Sequence, residues 1–226
     1  MRTVAVIPAA GKGKRLKSQV PKQYIKYKGK PVLAWTLEVF QKCPLIDEIV
    51  VAAEKSYLKK IRQIAEDYKI KKLINIVEGG KERQDSVYKA LLSLNLGKSD
   101  LVAVHDAARP LLPMEILVEG IKTAKKKRSG VIAIKAKDTL VKGDKMIESY
   151  VHRDDVYYVQ TPQIFRYTDL FYAMELAYRD HYKGTDESSL VKRAGYPVHL
   201  VEGSLLNFKI TTADDLELFT RLVQVK

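Results

Sequence analysis

Val4-Ala5-Val6-Ile7-Pro8-Ala9-Ala10-Gly11-Lys12-Gly13-Lys14-Arg15 is the stretch on which the fold turns. Its first four residues read as a short strand rich in branched side chains, and the small residues that follow read as a tight loop leading into a basic segment. Similar strand-like runs recur at Ile49 to Ala53, Ile74 to Val77, Leu101 to Val104 and Val131 to Ile134. Between them, Tyr57, Ile61, Ile64, Ala65 and Tyr68 keep helical spacing, as do Val87, Ala90, Leu91 and Leu94. Each such helix has one apolar face to lay on a sheet. Strands alternating with helices are the pattern of βαβ units and of a mainly parallel sheet.

After Lys135 the rhythm changes. Asp138 to Val141, a Lys142-Gly143-Asp144-Lys145 turn and Met146 to Val151 read as a β-hairpin that interrupts the alternation. A lone hairpin is marginal in water, so this arm, about residues 137–160, is expected to pack on its own domain or on a second subunit. Helical spacing returns from Thr168 to Tyr178, a strand near Val198 to Val201, and a last helix from about Ala213, where Thr212 and Asp215 have capping-box spacing. The expectation is an α/β fold: a single Rossmann-like, mostly parallel sheet flanked by helices, with an inserted hairpin arm, all in one domain over residues 1–226.

The 226 residues contain 46% hydrophobic side chains, enough for a proper core and outside the disordered and low-complexity classes. The longest nearly uncharged apolar stretch, Val4 to Ala10, is far short of the ~20 residues that span a bilayer. The first eight residues lack the regions of a signal peptide, and the single Cys43 can form no internal disulfide, so a reducing cytoplasm is the expected address. Forty Lys+Arg against 27 Asp+Glu leave +13, which favours anionic partners. The densest run, Lys122 to Arg128, falls near the end of a predicted helix, where cations suit the helix dipole. It reads as a solvated helix face rather than a nucleic-acid patch.

Three loops carry chemistry. After the first strand, Pro8, Ala9, Ala10, Gly11 and Gly13 form a small-residue loop whose backbone N–H groups can approach a phosphate chain, with Lys12, Lys14, Arg15 and then Lys22 as cations. The dinucleotide fingerprint fails because Leu16 stands where its third Gly or Ala belongs, and the P-loop's Gly-Lys-Ser/Thr ending is absent. The set suits a triphosphate. At the end of the Leu101 to Val104 strand, Asp106 stands where open α/β sheets place ligands. It reads either as a carboxylate for Mg²⁺ against phosphate oxygens or as a helix cap or partner of Arg109. Gly79-Gly80 and Ser86 form a third loop, whose glycines and hydroxyl can read a base.

Nine segments in order, PAAGKGKR (8–15), PKQY (21–24), EGGKERQDS (78–86), VHDAARP (104–110), DT (138–139), HR (152–153), TPQIF (161–165), TDESS (185–189) and NFKIT (207–211), give the chain its resemblance to a known group. It resembles the cytidylyltransferases of the sugar-nucleotidyltransferase superfamily, most closely the 2-C-methyl-D-erythritol 4-phosphate cytidylyltransferases, over nearly its whole length. The resemblance implies that Arg15 and Lys22 contact the triphosphate of CTP and that Gly80, Arg83 and Ser86 help form the nucleotide site, with Ala107 beside them. It implies Mg²⁺ at Asp106, Lys209 near the reacting phosphates, and Thr139, Arg153, Thr161 and Arg109 around a sugar-alcohol phosphate. It also implies a homodimer whose arms complete the neighbouring site. Lys81, where that family often has Asp, and Phe208, inside the common Asn-Ile-Lys-Val-Thr form, are departures.

No nucleophile elbow is present, so positioning and charge should dominate: an acceptor phosphate oxygen attacks the α-phosphorus of CTP, with Arg15, Lys22, Lys209 and Mg²⁺ offsetting charge. Two other readings compete. Ribitol-5-phosphate cytidylyltransferases share the loop and the arm, although Pro-Ala-Ala-Gly at 8–11 and His-Asp-Ala-Ala-Arg at 105–109 look less like theirs. A basic nucleic-acid-binding protein is the remote one, motivated by +13 and 13 Tyr. No nucleic acid and no membrane is the expectation.

Overall fold

The computed structural model describes residues 1–11 and 20–224. The chain enters through β1 (Thr3–Pro8), passes a small hairpin, β2 (Lys26–Tyr27) and β3 (Lys30–Pro31), and continues into α1 (Val32–Lys42) and β4 (Glu48–Ala53). α2 (Leu58–Asp67), β5 (Leu73–Glu78), α3 (Arg83–Leu92), β6 (Leu101–Val104), α4 (Met114–Lys127) and β7 (Ser129–Lys135) keep the alternation. The arm is β8 (Leu140–Gly143) and β9 (Ile147–Val151). Then come β10 (Tyr157–Arg166), α5 (Tyr167–Arg179), α6 (Glu187–Arg193), β11 (Leu200–Glu202) and α7 (Ala213–Gln224).

One seven-stranded sheet runs β11-β7-β10-β6-β1-β4-β5. Six strands are mutually parallel and β10 alone is antiparallel, paired with β6 through Ile164↔Ala103 and with β7 through Ile164↔Gly130. The mostly parallel sheet flanked by helices therefore stands as expected, with one strand that the sequence reading passes over. β10 contains Pro162, which cannot donate to a ladder and is tolerated where pairing is interrupted. Its pairing with β7 is indeed broken between Val159 and Gln163.

Alternation along β1 divides the core. Ala5 and Ile7 join Leu37 of α1, Ile61 of α2 and Leu117 of α4 on one face. Val4 and Val6 join Leu91 of α3 and Met174 of α5 on the other. With both faces covered, the inner stretches of β1, β4 and β6 are apolar on both sides, as in buried parallel strands. A third, smaller cluster seats α7: Phe219 is fully buried against Val32, Ala108 and Ile210, with the Trp35 ring edge-on at 5.9 Å. Thr212 and Asp215 cap that helix reciprocally, at 2.8 Å from the Thr212 N–H to the Asp215 carboxylate and 3.3 Å from the Asp215 N–H to the Thr212 hydroxyl.

The arm's two strands form a separate sheet that shares no ladder with the large one. Residues 157–159, on the arm in the sequence reading, pair with β7 in the large sheet. No described helix is long and apolar enough to cross a membrane.

Candidate active site

β1 continues to β4 and β5 on one side, and the chain then returns to place β6 on β1's other side. At such a switch point the loops at the strands' carboxyl ends part and leave a crevice. Here it is a cleft of about 290 Å³. Pro8, Ala9, Ala10 and Gly11 form one wall, Gly80, Arg83 and Ser86 a second, and Asp106, Ala107, Lys22 and Lys209 close the rest. Arg15 and Gly13 lie outside the described residues.

The walls hold one another. Ala9 N–H donates to the Ala52 carbonyl at 2.6 Å and Gly79 N–H to the Ala53 carbonyl at 2.8 Å, so both loops leave the sheet beside β4. A Cβ on Gly79 would stand 2.7 Å from the Ala10 Cβ, and one on Gly80 would stand 2.1 Å from the Asp85 Cβ. Glycine at 79 lets the base loop meet the phosphate loop, and glycine at 80 lets the chain turn tightly into α3. α3 opens with a capping box between Glu82 and Asp85, and the Ser86 hydroxyl accepts from Gly80 N–H at 3.1 Å while donating to the Glu82 carbonyl at 3.1 Å. Ser86 thus shapes the loop, a task the sequence reading does not give it.

Asp106 is the electrostatic centre. One oxygen accepts from Arg83 Nε at 3.0 Å, and the other faces Lys209 Nζ at 2.9 Å and Arg109 Nε at 3.5 Å. Burial alone would raise this carboxyl's pKa; the three cations outweigh burial and hold it well below the usual carboxylate range. Asp106 thus partners Arg109, as one reading of the sequence has it, and also stands on the cleft wall. Arg83 is held from behind by Glu187, 1% exposed in its side chain, with 2.6 Å from Nη1 to each carboxylate oxygen. Its Nη2 is buried without a partner among the described residues.

Thr161 and Arg109 stand behind Asp106 rather than on the cleft wall. The Thr161 hydroxyl accepts from Asp106 N–H at 3.1 Å and lies 3.2 Å from His105 Nδ1. Arg109 Nη1 donates to the Asn207 carbonyl at 2.6 Å, while Asn207 Nδ2 donates to the Thr161 carbonyl at 2.7 Å. Burial pushes His105 down to about 4, so it is neutral at pH 7, a structural part as its isolation in the sequence suggests. Thr139 and Arg153 are exposed on the arm and do not line this cleft, and Arg153 Nη1 donates to the Lys137 carbonyl at 2.6 Å. Two participants escape the sequence reading, Glu187 and Gln23. Each lies inside a quoted motif, but its partner is visible only in three dimensions.

The donor set also bears on Mg²⁺. Among the described residues no three His, Cys, Asp or Glu gather as a metal cage. Asp106, with Glu82 also on the cleft wall, suits an ion that takes one or two protein carboxylates and completes its shell with phosphate oxygens and water. The residues fit Mg²⁺ carried in with a nucleotide.

The family model for 2-C-methyl-D-erythritol 4-phosphate cytidylyltransferase matches residues 3–224. The chain belongs to that family. Among relatives bearing that name, the protein of Syntrophus aciditrophicus is 41% identical over 218 residues, covering 95% of this chain and 93% of its own. That of Geotalea uraniireducens is 38% identical over 223 residues, covering 96% and 94%. Crystal structures of the 2-C-methyl-D-erythritol 4-phosphate cytidylyltransferases of Francisella tularensis and Thermus thermophilus superpose with TM-scores of 0.83 and 0.82 at 33% and 32% identity. They cover 98% and 99% of this chain and 99% and 100% of their own. Membership in the 2-C-methyl-D-erythritol 4-phosphate cytidylyltransferase family sets the ribitol and nucleic-acid readings aside as the first choice.

Proposed function

We propose that the protein transfers CMP from CTP to 2-C-methyl-D-erythritol 4-phosphate, giving 4-diphosphocytidyl-2-C-methyl-D-erythritol and pyrophosphate in non-mevalonate isoprenoid biosynthesis. Family membership over residues 3–224 carries this reading, and the convergence of Lys22, Arg83 and Lys209 on one cleft beside a glycine loop supports it. An acceptor phosphate oxygen forms the new bond to the α-phosphorus. The bond to the bridging oxygen breaks, and its electron pair leaves with pyrophosphate.

The chain's own part is to orient and to offset charge. Lys22, whose Nζ donates to the Ile210 carbonyl at 2.6 Å, brings an ammonium to the cleft wall where phosphate oxygens would lie. Lys209 and Arg15 would add positive charge, and Arg83 Nη2, without a partner among the described residues, suits an acceptor oxygen of the nucleotide. Asp106 would hold Mg²⁺, which when bound acts as a Lewis acid on the phosphates. Cys43 is fully buried in the core, away from any nucleophilic role.

Thr139 and Arg153 belong in this reading to the acceptor site of a second protomer. The arm's Met146 is 82% exposed and its Tyr150 72%, an apolar surface on a hairpin too small to stand alone. A homodimer would cover it. Pyrophosphate release from CTP and Mg²⁺ with methylerythritol phosphate or D-ribitol 5-phosphate, each with an ATP control, tests the assignment. Turnover with CTP and the first acceptor alone is expected, and turnover with the second alone overturns it.

A further inference from the structure

We propose that Gln23 is a positioning residue that sets which way the peptide groups of the phosphate loop face, and so governs CTP affinity without touching the acceptor. The inference deepens the cytidylyl-transfer reading and rests on it. Gln23 sits in the middle of a single 3₁₀ turn, Lys22–Tyr24, and is 3% exposed. Its Nε2 donates to the Ala9 carbonyl at 2.6 Å and to the Gly11 carbonyl at 3.1 Å. Both partners are acceptors, so the nitrogen end of the amide must face them, and its two hydrogens are both spent on the loop.

Among the described residues, a Cβ built on Gly11 meets nothing within 4 Å. The two hydrogen bonds from Gln23 tie the Ala9 and Gly11 carbonyls to its side of the loop. A peptide group is planar and trans, so a carbonyl held on the Gln23 side at Ala9 sends the Ala10 N–H to the opposite edge. A loop that showed carbonyls to a triphosphate would repel it, whereas one that shows N–H groups attracts it. Gln23 holds two of those carbonyls back.

The turn carrying Gln23 has anchors of its own. Tyr24 N–H donates to the Pro21 carbonyl at 2.8 Å, the Tyr24 ring stacks on Tyr57 at 4.2 Å, and Lys22 Nζ donates to the Ile210 carbonyl. Ile210 N–H in turn donates to the Ala108 carbonyl at 2.9 Å. Changing the Gln23 amide should therefore leave Lys22 in place and loosen the loop alone.

The experiment compares Gln23→Met, which keeps the volume and removes the donors, with Gln23→Glu, measuring CTP binding by calorimetry and both KM values by pyrophosphate release. Gln23→Met should raise the Kd of CTP about tenfold, the worth of one hydrogen bond, with the KM of methylerythritol phosphate unchanged. Gln23→Glu places a carboxylate against two carbonyls. Relative to wild type at each pH, it should bind CTP worst above pH 7 and recover on acidification, when the protonated carboxyl can donate again; a purely structural lesion would show no such recovery. Wild-type CTP affinity in Gln23→Met, equal losses in both KM values, or a pH-independent defect in Gln23→Glu overturns the inference. If Gln23→Met does not fold, the pH series decides. A wild-type protein that binds CTP but transfers nothing overturns the cytidylyl-transfer reading instead.

Discussion

Lys209→Met separates catalysis from stability. Lys209 Nζ lies 2.9 Å from Asp106, and the lysine side chain is 33% exposed. At an effective dielectric of ~20, attraction at this separation is about 5–6 kcal/mol gross, most of it returned by desolvation and solvent screening, leaving ~1 kcal/mol for a partly exposed pair. Asp106 also keeps Arg83 at 3.0 Å and Arg109 at 3.5 Å, so the deletion strands no buried charge. For a chain of this size the cost corresponds to a Tm loss of about 2–4 °C. In the proposed transfer the same ammonium would face phosphoryl oxygens gaining negative charge, where one such donor is worth ~10²–10³ in kcat, or about 2.7–4 kcal/mol. Calorimetric unfolding and pyrophosphate-release kinetics on the same preparation give both numbers. A kcat within about threefold of wild type would remove Lys209 from the chemistry; a Tm loss beyond about 10 °C would show its role to be mainly structural.

Three further outcomes follow from the geometry. Gly80→Ala drives a Cβ to 2.1 Å from the Asp85 Cβ and must open the capping box of α3. The Kd of CTP should rise about tenfold or more, and an unchanged value would separate that loop from the nucleotide. His105, at about 4 in the fold against 6.5 in the unfolded chain, stays neutral while the unfolded chain takes up a proton. Stability should therefore fall as pH drops from 6.5 towards 4, by up to ~3 kcal/mol, visible as an earlier urea midpoint; His105→Asn should flatten that slope, and equal slopes would contradict it. Mixing Arg153→Ala with Lys209→Met protomers should restore about a quarter of wild-type activity, since half the dimers are mixed and one of their two sites holds both native residues. No restoration would place Arg153 in the same chain's site.

Legibility followed burial. Strands β1, β4, β6 and β7 lie between two helix layers, so their sequences are unbroken apolar runs, visible without any structure. β10 is also central, yet it reads Gln160-Thr161-Pro162-Gln163. Those polar groups are satisfied at long range, Gln160 on the Ser204 carbonyl at 2.8 Å and Gln163 on Asp186 at 2.9 Å. Local pattern cannot anticipate such partners. Lys22 and Asp106 were legible because a glycine loop and a strand end announce them, whereas Arg83 and Lys209 were expected only from the family resemblance. The pairing of Arg83 with Glu187, 104 residues later, was not.

The place of β10 in the sheet also orders how the chain can assemble. β6, β1, β4 and β5 are mutual neighbours and are complete once residue 104 has been made. β7 is made next, but its partners are β10 and β11, so it has no ladder to join until Tyr157–Arg166 arrives and slides in between it and β6. A nascent chain thus carries a four-stranded sheet whose β6 edge still awaits its partner while the exposed arm is being synthesised. β10 is the keystone: a protein truncated before it should hold the glycine loops on a partial sheet and leave β7 unpaired.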